Sequence, residues 1–317
     1  MSDEKCSVII PVFNAEDTIE DAIHSVLSGT YSNVELLVVD DCSTDNSREI
    51  VDALARQNDM IRHIKSDINQ GGARTRNLAI KHLSGKYVAF LDSDDLWEPE
   101  KLEKCISLLE ANTDIKLVAH DMNYLTNKGE KVGYISAKPR SPDEQKHNNE
   151  KGIPPIVFTS TAVLHADVLI KEGGFDENWD VGQDTEFFSR VAQKYGLLVQ
   201  GEPLGSYRLR AGSLTGSNWL RKRLAQKCVI ENNLRQRKGR TPITLDQYMI
   251  NFQQNTPLFE KTFVMRQALS RHFWRQAGEA WLNNKSVFKT FFLGSIGSLL
   301  DPATTVYRVR RWLKSRA

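Results

Sequence analysis

Cysteine is scarce and scattered: Cys6, Cys42, Cys105 and Cys228 form no CxxC pair. That excludes a dense disulfide framework and a zinc ribbon, and a reducing cytosol is the expected setting. Long apolar runs are missing too. The stretch FFLGSIGSLL, from Phe291 to Leu300, falls well short of the roughly 20 residues a membrane-spanning helix needs. The opening MSDEKCSVIIPVF is acidic before it is apolar, so no exported leader is expected. Neither a Walker A pattern nor GxGxxG occurs, and there is no internal repeat. What is present is an ordinary globular composition, 317 residues with 40% hydrophobic and 26% charged side chains. That length suffices for one large domain with an appendage, or for two domains.

A net charge of +2 hides a strong asymmetry. From Asn218 onward there are 19 Lys and Arg against 5 Asp and Glu, while the preceding residues carry 23 against 35. An acidic front and a basic back share one chain. The basic part interleaves aromatic residues, Trp219, Phe259, Phe263, Phe273, Trp274 and Trp281 among them, and ends in RVRRWLKSR. Such a face suits an anionic membrane surface on the cytoplasmic side; a solvated helical surface is the plainer alternative.

Along the front, short β-branched runs alternate with helical periodicity. Cys6–Val12 reads as a strand and 16–27 as a helix. Val34–Val39 and Tyr87–Leu91 read as further strands, with a shorter one at 61–65 and helices at 47–56 and 72–83. The expected fold class is α/β, with a mostly parallel central sheet covered on both faces. Ligands in such sheets sit beyond the carboxyl ends of the strands, where PVFN, DDCSTD and DSDD all fall. The segment from Thr126 to Pro155 reads as an extended, mobile connection, and order resumes through a helix from about Asp184 to Tyr195.

The stretch FLDSDDLWEP crowds Asp92, Asp94 and Asp95 where a buried strand ends. Like charges repel, so either a cation or a helix dipole must lie near. Asp41 suits a hydrogen bond to a nucleobase or ribose, or else begins a turn. Asp184 and Glu186 open a helix, where a carboxylate is favourable for dipole reasons alone. Arg208 suits a structural ion pair.

In order and spacing, SVIIPVFNAEDTI, VVDDCSTDNS, NQGGARTRN, FLDSDD, GGFDE, QDTEFFSR and YRLRAGSLT together resemble the family 2 glycosyltransferases, over about residues 5 to 215. The resemblance implies a GT-A type nucleotide-binding domain at 1–217; beyond it, 218–317 reads as a helical basic region, a candidate for membrane association. It further implies inverting transfer from a nucleotide sugar, most naturally a UDP-sugar, to a hydroxyl of a glycan or lipid-linked acceptor in cell-surface polysaccharide synthesis. Pro11, Val12, Phe13 and Asp41 would hold the base, and Arg76, Asp92 and Ser93 the rest of the nucleotide. Asp94 would bind Mn2+ or Mg2+, Arg208 and Arg210 would face the diphosphate, and Asp184 would be the catalytic base. Two departures from the family pattern stand out: Gln183 replaces a glutamate and Arg210 a histidine.

Two rival readings remain open. A nucleotidyltransferase acting on a sugar phosphate shares the sheet, nucleotide and cation. A non-catalytic nucleotide or nucleic-acid binding protein would use the basic tail, though no nucleic-acid motif accompanies it.

Overall fold

A computed structural model describes residues 4–126, 129–209, 218–284, 286–302 and 305. The elements are β1 (Cys6–Val12), α1 (Ile19–Leu27), β2 (Val34–Asp41), α2 (Ser47–Gln57), β3 (Ile61–Ser66), α3 (Gly72–Ile80), β4 (Tyr87–Phe90), β5 (Leu96–Trp97) and α4 (Lys101–Ala111). They continue through β6 (Leu117–Leu125), β7 (Lys131–Ile135), α5 (Pro142–Glu150), a 3-10 turn at Thr159–Thr161, β8 (Val163–His165), α6 (Ala166–Lys171), α7 (Gln183–Tyr195) and β9 (Leu197–Arg208). Four helices follow: α8 (Trp219–Arg237), α9 (Leu245–Asn255), α10 (Leu258–Asn284) and α11 (Val287–Leu300).

Among the described residues, nine strands form one sheet in the order β3-β2-β1-β4-β8-β6-β9-β5, with β7 beside β6. The strand–helix alternation of the front produces its parallel half, where β1 pairs with both β2 and β4 and β2 pairs with β3. Beyond β4 the direction reverses, and β8 runs antiparallel to β4 and β6. Side chains of β1 and β2 alternate between two cores. Val8, Ile10, Leu36 and Val38 pack with α1, α2 and α4 on one face, while Ile9, Leu37, Val39 and Phe90 meet α3, α6 and α7 on the other. Burial on both faces explains why these strands read as continuous apolar runs.

The expected mobile connection from Thr126 to Pro155 instead contains β7 and α5. Ser141 caps α5 by accepting the Glu144 amide at 3.1 Å, and Pro142 opens the first turn. Helical signals here are confined to the cap, because none of the nine residues of α5 is buried. The last strand, β9, runs on through Gly201 and Pro203 to Arg208.

The chain divides into two compact units. The first comprises Met1–Tyr124, Gly133–Arg208 and Val229–Pro242, and the second Leu125–Val132, Leu209–Cys228 and Ile243–Ala317, so far as these are described. Thus α8 gives its second half to the first unit, where Asn233 donates to Gly152 O and Ser189 Oγ, both at 2.9 Å. In the second unit α9 starts on a capping box, Thr244 with Gln247. There α10 and α11 pack antiparallel: Ser270 Oγ donates to Gly297 O at 2.7 Å and Arg266 Nε to Leu300 O at 3.3 Å. A Cβ on Gly297 would come within 2.7 Å of Trp274 Cδ1, so glycine is what lets the indole lie against α11. Among the described residues, no helix is long and apolar enough to cross a membrane.

Candidate active site

The loops after β1 and β2 are sewn together. Asn14 N donates to Ser43 Oγ at 3.1 Å, Thr44 N to Asn14 Oδ1 at 2.8 Å, and Ala15 N to Ser47 Oγ at 2.8 Å. Asn14 and Cys42 adopt φ of 48° and 64°, a left-handed backbone uncommon outside glycine. Val12 turns its side chain into the core, so of the expected base-binding residues Pro11 to Phe13 only Phe13 is well exposed, at 48%.

Asp40 and Asp41 have separate duties. Asp40 is fully buried and paired with Arg48 at 2.6 Å. Asp41 accepts the backbone amides of Gln70 and Gly71, each at 2.8 Å, and so clamps the turn leading into α3. That turn requires glycine at 71, with φ of 82° and ψ of 161°. At Gly72 a Cβ would stand 2.8 Å from Arg76 Nη1, so a side chain there would displace the guanidinium.

Arg76 projects from α3 toward the end of β4. Its Nη2 donates to Asp92 Oδ1 and its Nη1 to Gly72 O, the latter at 3.1 Å. Its Nε is buried with no hydrogen-bond partner among the described residues, and the guanidinium lies 5.6 Å from the Phe175 ring centroid. Arg74, by contrast, pairs at the surface with Glu177 at 3.3 Å.

Asp184 occupies the first turn of α7, after Gly182 at φ of 73°. Its Oδ1 accepts the Thr185 amide at 2.8 Å. Burial pushes its carboxyl above the ordinary 3.8; the Thr185 amide and the positive charge of Arg76 oppose that shift, and the charge of Asp92 reinforces it. Asp184 therefore shares its electrostatic surroundings with Arg76 and Asp92, 92 positions earlier in the chain at the nearer one. Glu186, the other acid of this turn, is consumed by Arg190, whose Nε reaches Glu186 Oε1 at 2.8 Å. The same guanidinium donates to Gly174 O at 3.0 Å and Glu172 O at 2.7 Å, anchoring the GGF turn to α7. On the other side Asn77 clasps that turn, donating to Phe175 O at 2.8 Å and accepting the Phe175 amide at 2.9 Å. These links between α3, the GGF turn and α7 carry Asp184 to Arg76.

The DSDD turn is held from below by a residue that sequence reasoning passed over. Ser160 Oγ accepts the Asp92 amide at 3.0 Å and donates to Asp95 Oδ2 at 2.6 Å. Its carbonyl takes the Trp97 indole at 2.9 Å. The other Asp95 oxygen accepts the Arg208 amide at 3.1 Å, and Arg208 Nε reaches Asp94 O at 3.0 Å. Burial first, then the charges of Asp94 and Asp92, holds the Asp95 carboxyl well above its usual range. Asp95 is thus the buried anchor of the turn, and Asp92, Ser93 and Asp94 are its half-buried rim. Ser160→Ala leaves a buried carboxyl short of a partner, an expected cost of about 1–3 kcal/mol. Urea unfolding reads that loss, and a raised donor KM reads the loosened rim. Arg210 lies outside the described residues.

Among the described residues no group of three or more His, Cys, Asp or Glu side chains forms a metal cage. Magnesium and manganese bound beside phosphates need none, since one or two carboxylates with substrate oxygens and water suffice. The hard carboxylate rim at Asp92 and Asp94, crowded enough to raise its neighbour's pKa, fits such an ion.

The family profile described as Glycosyl transferase family 2 matches residues 7–173, more than half of the chain. The chain belongs to glycosyl transferase family 2. Over 112 residues it is 46% identical to the Escherichia coli UDP-Glc:alpha-D-GlcNAc-diphosphoundecaprenol beta-1,3-glucosyltransferase WfgD, covering 35% of this chain and 44% of that protein. The matched stretches span 34–44% of the lengths of the first curated relatives. Among solved structures it is similar to S. aureus TarS 1-349 in complex with UDP-GlcNAc, at a TM-score of 0.56 and 18% identity over 92% of this chain and 90% of that one. The mannosyltransferase PcManGT from Pyrobaculum calidifontis, in complex with GDP-Man and Mn2+, gives a TM-score of 0.60 at 19% identity, covering 99% and 86%. At such identities the likeness is one of fold, and the fold is of GT-A type.

Proposed function

We propose that this family 2 enzyme transfers a sugar, with inversion, from a UDP-sugar to a hydroxyl of a glycan or lipid-linked acceptor in cell-surface polysaccharide synthesis. The observation that carries the reading is that Asp184 lies within electrostatic reach of the Arg76–Asp92 pair. Nucleotide chemistry and a proton acceptor then have one cleft to share. The name of WfgD, with its UDP-glucose donor and diphosphoundecaprenol-linked acceptor, supports the donor and acceptor classes. The TarS complex with UDP-GlcNAc supports a uridine nucleotide.

In this reading the base and ribose lie over the ends of β1 and β2, against Pro11 to Phe13, with Asp41 contributing oxygen lone pairs beyond those used on Gln70 and Gly71. Asp92 and Ser93 position the ribose. Asp184 takes the proton of the acceptor hydroxyl at a carboxylate oxygen while that hydroxyl attacks the anomeric carbon. The anomeric C–O bond breaks on the opposite face, and its electron pair leaves on the diphosphate. Arg76, Arg208 and Arg210 offer the departing charge their guanidinium groups. A divalent ion held at Asp94 would supply Lewis-acid stabilisation of the same leaving group; the presence of Mn2+ in the PcManGT complex supports such an ion.

Incubation with UDP-, GDP- and dTDP-sugars, with and without divalent cation, tests this. UDP release from a UDP-sugar, dependent on acceptor and cation, is the expected result. Pyrophosphate release from a nucleoside triphosphate and a sugar phosphate would instead show nucleotidyl transfer.

A further inference from the structure

We propose that the outer face of α11 is a docking surface for an anionic lipid bilayer, on which the helix lies without crossing. A helix packed on its own protein ordinarily turns its large apolar side chains inward. Here the inward face of α11 carries Leu293 with two glycines: Gly294 and Gly297 lie against Trp274, and Gly297 O accepts from Ser270 Oγ. Its three phenylalanines and Leu299 point out. Phe288 is 83% exposed, Phe291 77%, Phe292 55% and Leu299 78%, and the spacing of these four puts them on one stripe of the helix. The Phe288 and Phe292 rings stack with centroids 6.4 Å apart.

Length and charge choose the occupant. Fourteen residues extend about 21 Å at about 1.5 Å each, short of the roughly 30 Å hydrocarbon core. Lys289 is exposed beside the phenylalanines. Downstream come Arg308, Arg310, Arg311, Lys314 and Arg316, and the chain from Asn218 on carries 19 basic residues against 5 acidic. A second copy of the chain would set that excess against its like. Anionic headgroups complement it, each basic residue near the surface strengthening partition about fivefold, while the aromatic stripe enters the headgroup boundary. Sugar transfer is not needed for the proposal, and UDP release in solution can be scored separately.

Co-sedimentation of the full chain with vesicles of phosphatidylcholine, alone or mixed with phosphatidylglycerol, is the test. Binding to the mixed vesicles is expected, with release at high salt, where the Debye length falls from about 10 Å at 0.1 M to about 3 Å at 1 M. The variant Phe288→Ser/Phe291→Ser/Phe292→Ser should lose about tenfold or more in partition at an unchanged melting temperature. Lys289→Glu should weaken binding to the mixed vesicles alone, and it supplies the readout if the triple variant does not fold. Wild-type protein that ignores lipid charge and salt, or fails to bind, overturns the proposal. So does a triple variant that binds normally, or a lipid-free dimer that the triple variant dissolves.

Discussion

Asp184→Asn is expected to slow sugar transfer roughly 100-fold to 10,000-fold, the usual range for a general base, while donor affinity stays near wild type. The substitution keeps the shape of the side chain and removes its capacity to take a proton. It should also raise the melting temperature at neutral pH. Burial lifts this carboxyl above 3.8, so the folded protein holds the proton more tightly than the unfolded chain does. Stability from such a group is complete below the unfolded value and declines as pH rises through the folded one. At neutral pH the ionised aspartate therefore costs stability that asparagine would not, and the advantage of the variant should vanish below pH 3.8. The wild-type rate should fall on the acid side through the same raised value, since only the ionised form accepts a proton. Thermal melts and rate profiles across pH read both signs. A variant that turns over normally removes Asp184 from the base role.

Asp94→Ala is expected to abolish the cation dependence of donor binding, with at least about a 100-fold loss of cation-stimulated activity, the upper range seen when only a supporting residue of a metal site is removed. Thermal shift with UDP and Mn2+ reads it, and chelation of the wild type should reproduce it. Asp95→Ala makes the contrast. Asp95 is 2% exposed and ties Ser160 to the Arg208 amide, so its loss should lower the melting temperature first. If Asp94→Ala still responds to Mn2+, the ion is held elsewhere.

The three aspartates of this turn illustrate how far side-chain identity alone reaches. Each of Asp92, Asp94 and Asp95 looks alike in FLDSDD, and only the fold separates a buried anchor from an accessible rim. Ser160 was invisible for a related reason: nothing in VFTSTAV sets its hydroxyl apart from those of Thr159 and Thr161, and its partners lie 65 and 68 positions away. What was legible depended on local periodicity. β1 begins and ends where its apolar run does, and α2 and α7 differ by a residue or so from their expected bounds. The antiparallel half was not legible, because the pairing of β8 with β4 and β6 is decided by distant partners. β7 and α5 went unseen because their faces are largely exposed and carry little hydrophobic pattern. The resemblance located Arg76 and Asp184, yet the contact of Arg76 with Asp92 emerges only from the packing of α3 beside the end of β4.

A crystal structure of the protein with UDP and Mn2+ tests the central arrangement most directly. The expected result is a cation between the Asp94 carboxylate and the β-phosphate, with the Asp184 carboxylate facing open space across the same cleft. Nucleotide or cation bound away from the β1, β2 and β4 ends, or Asp184 walled off from the diphosphate, would contradict it.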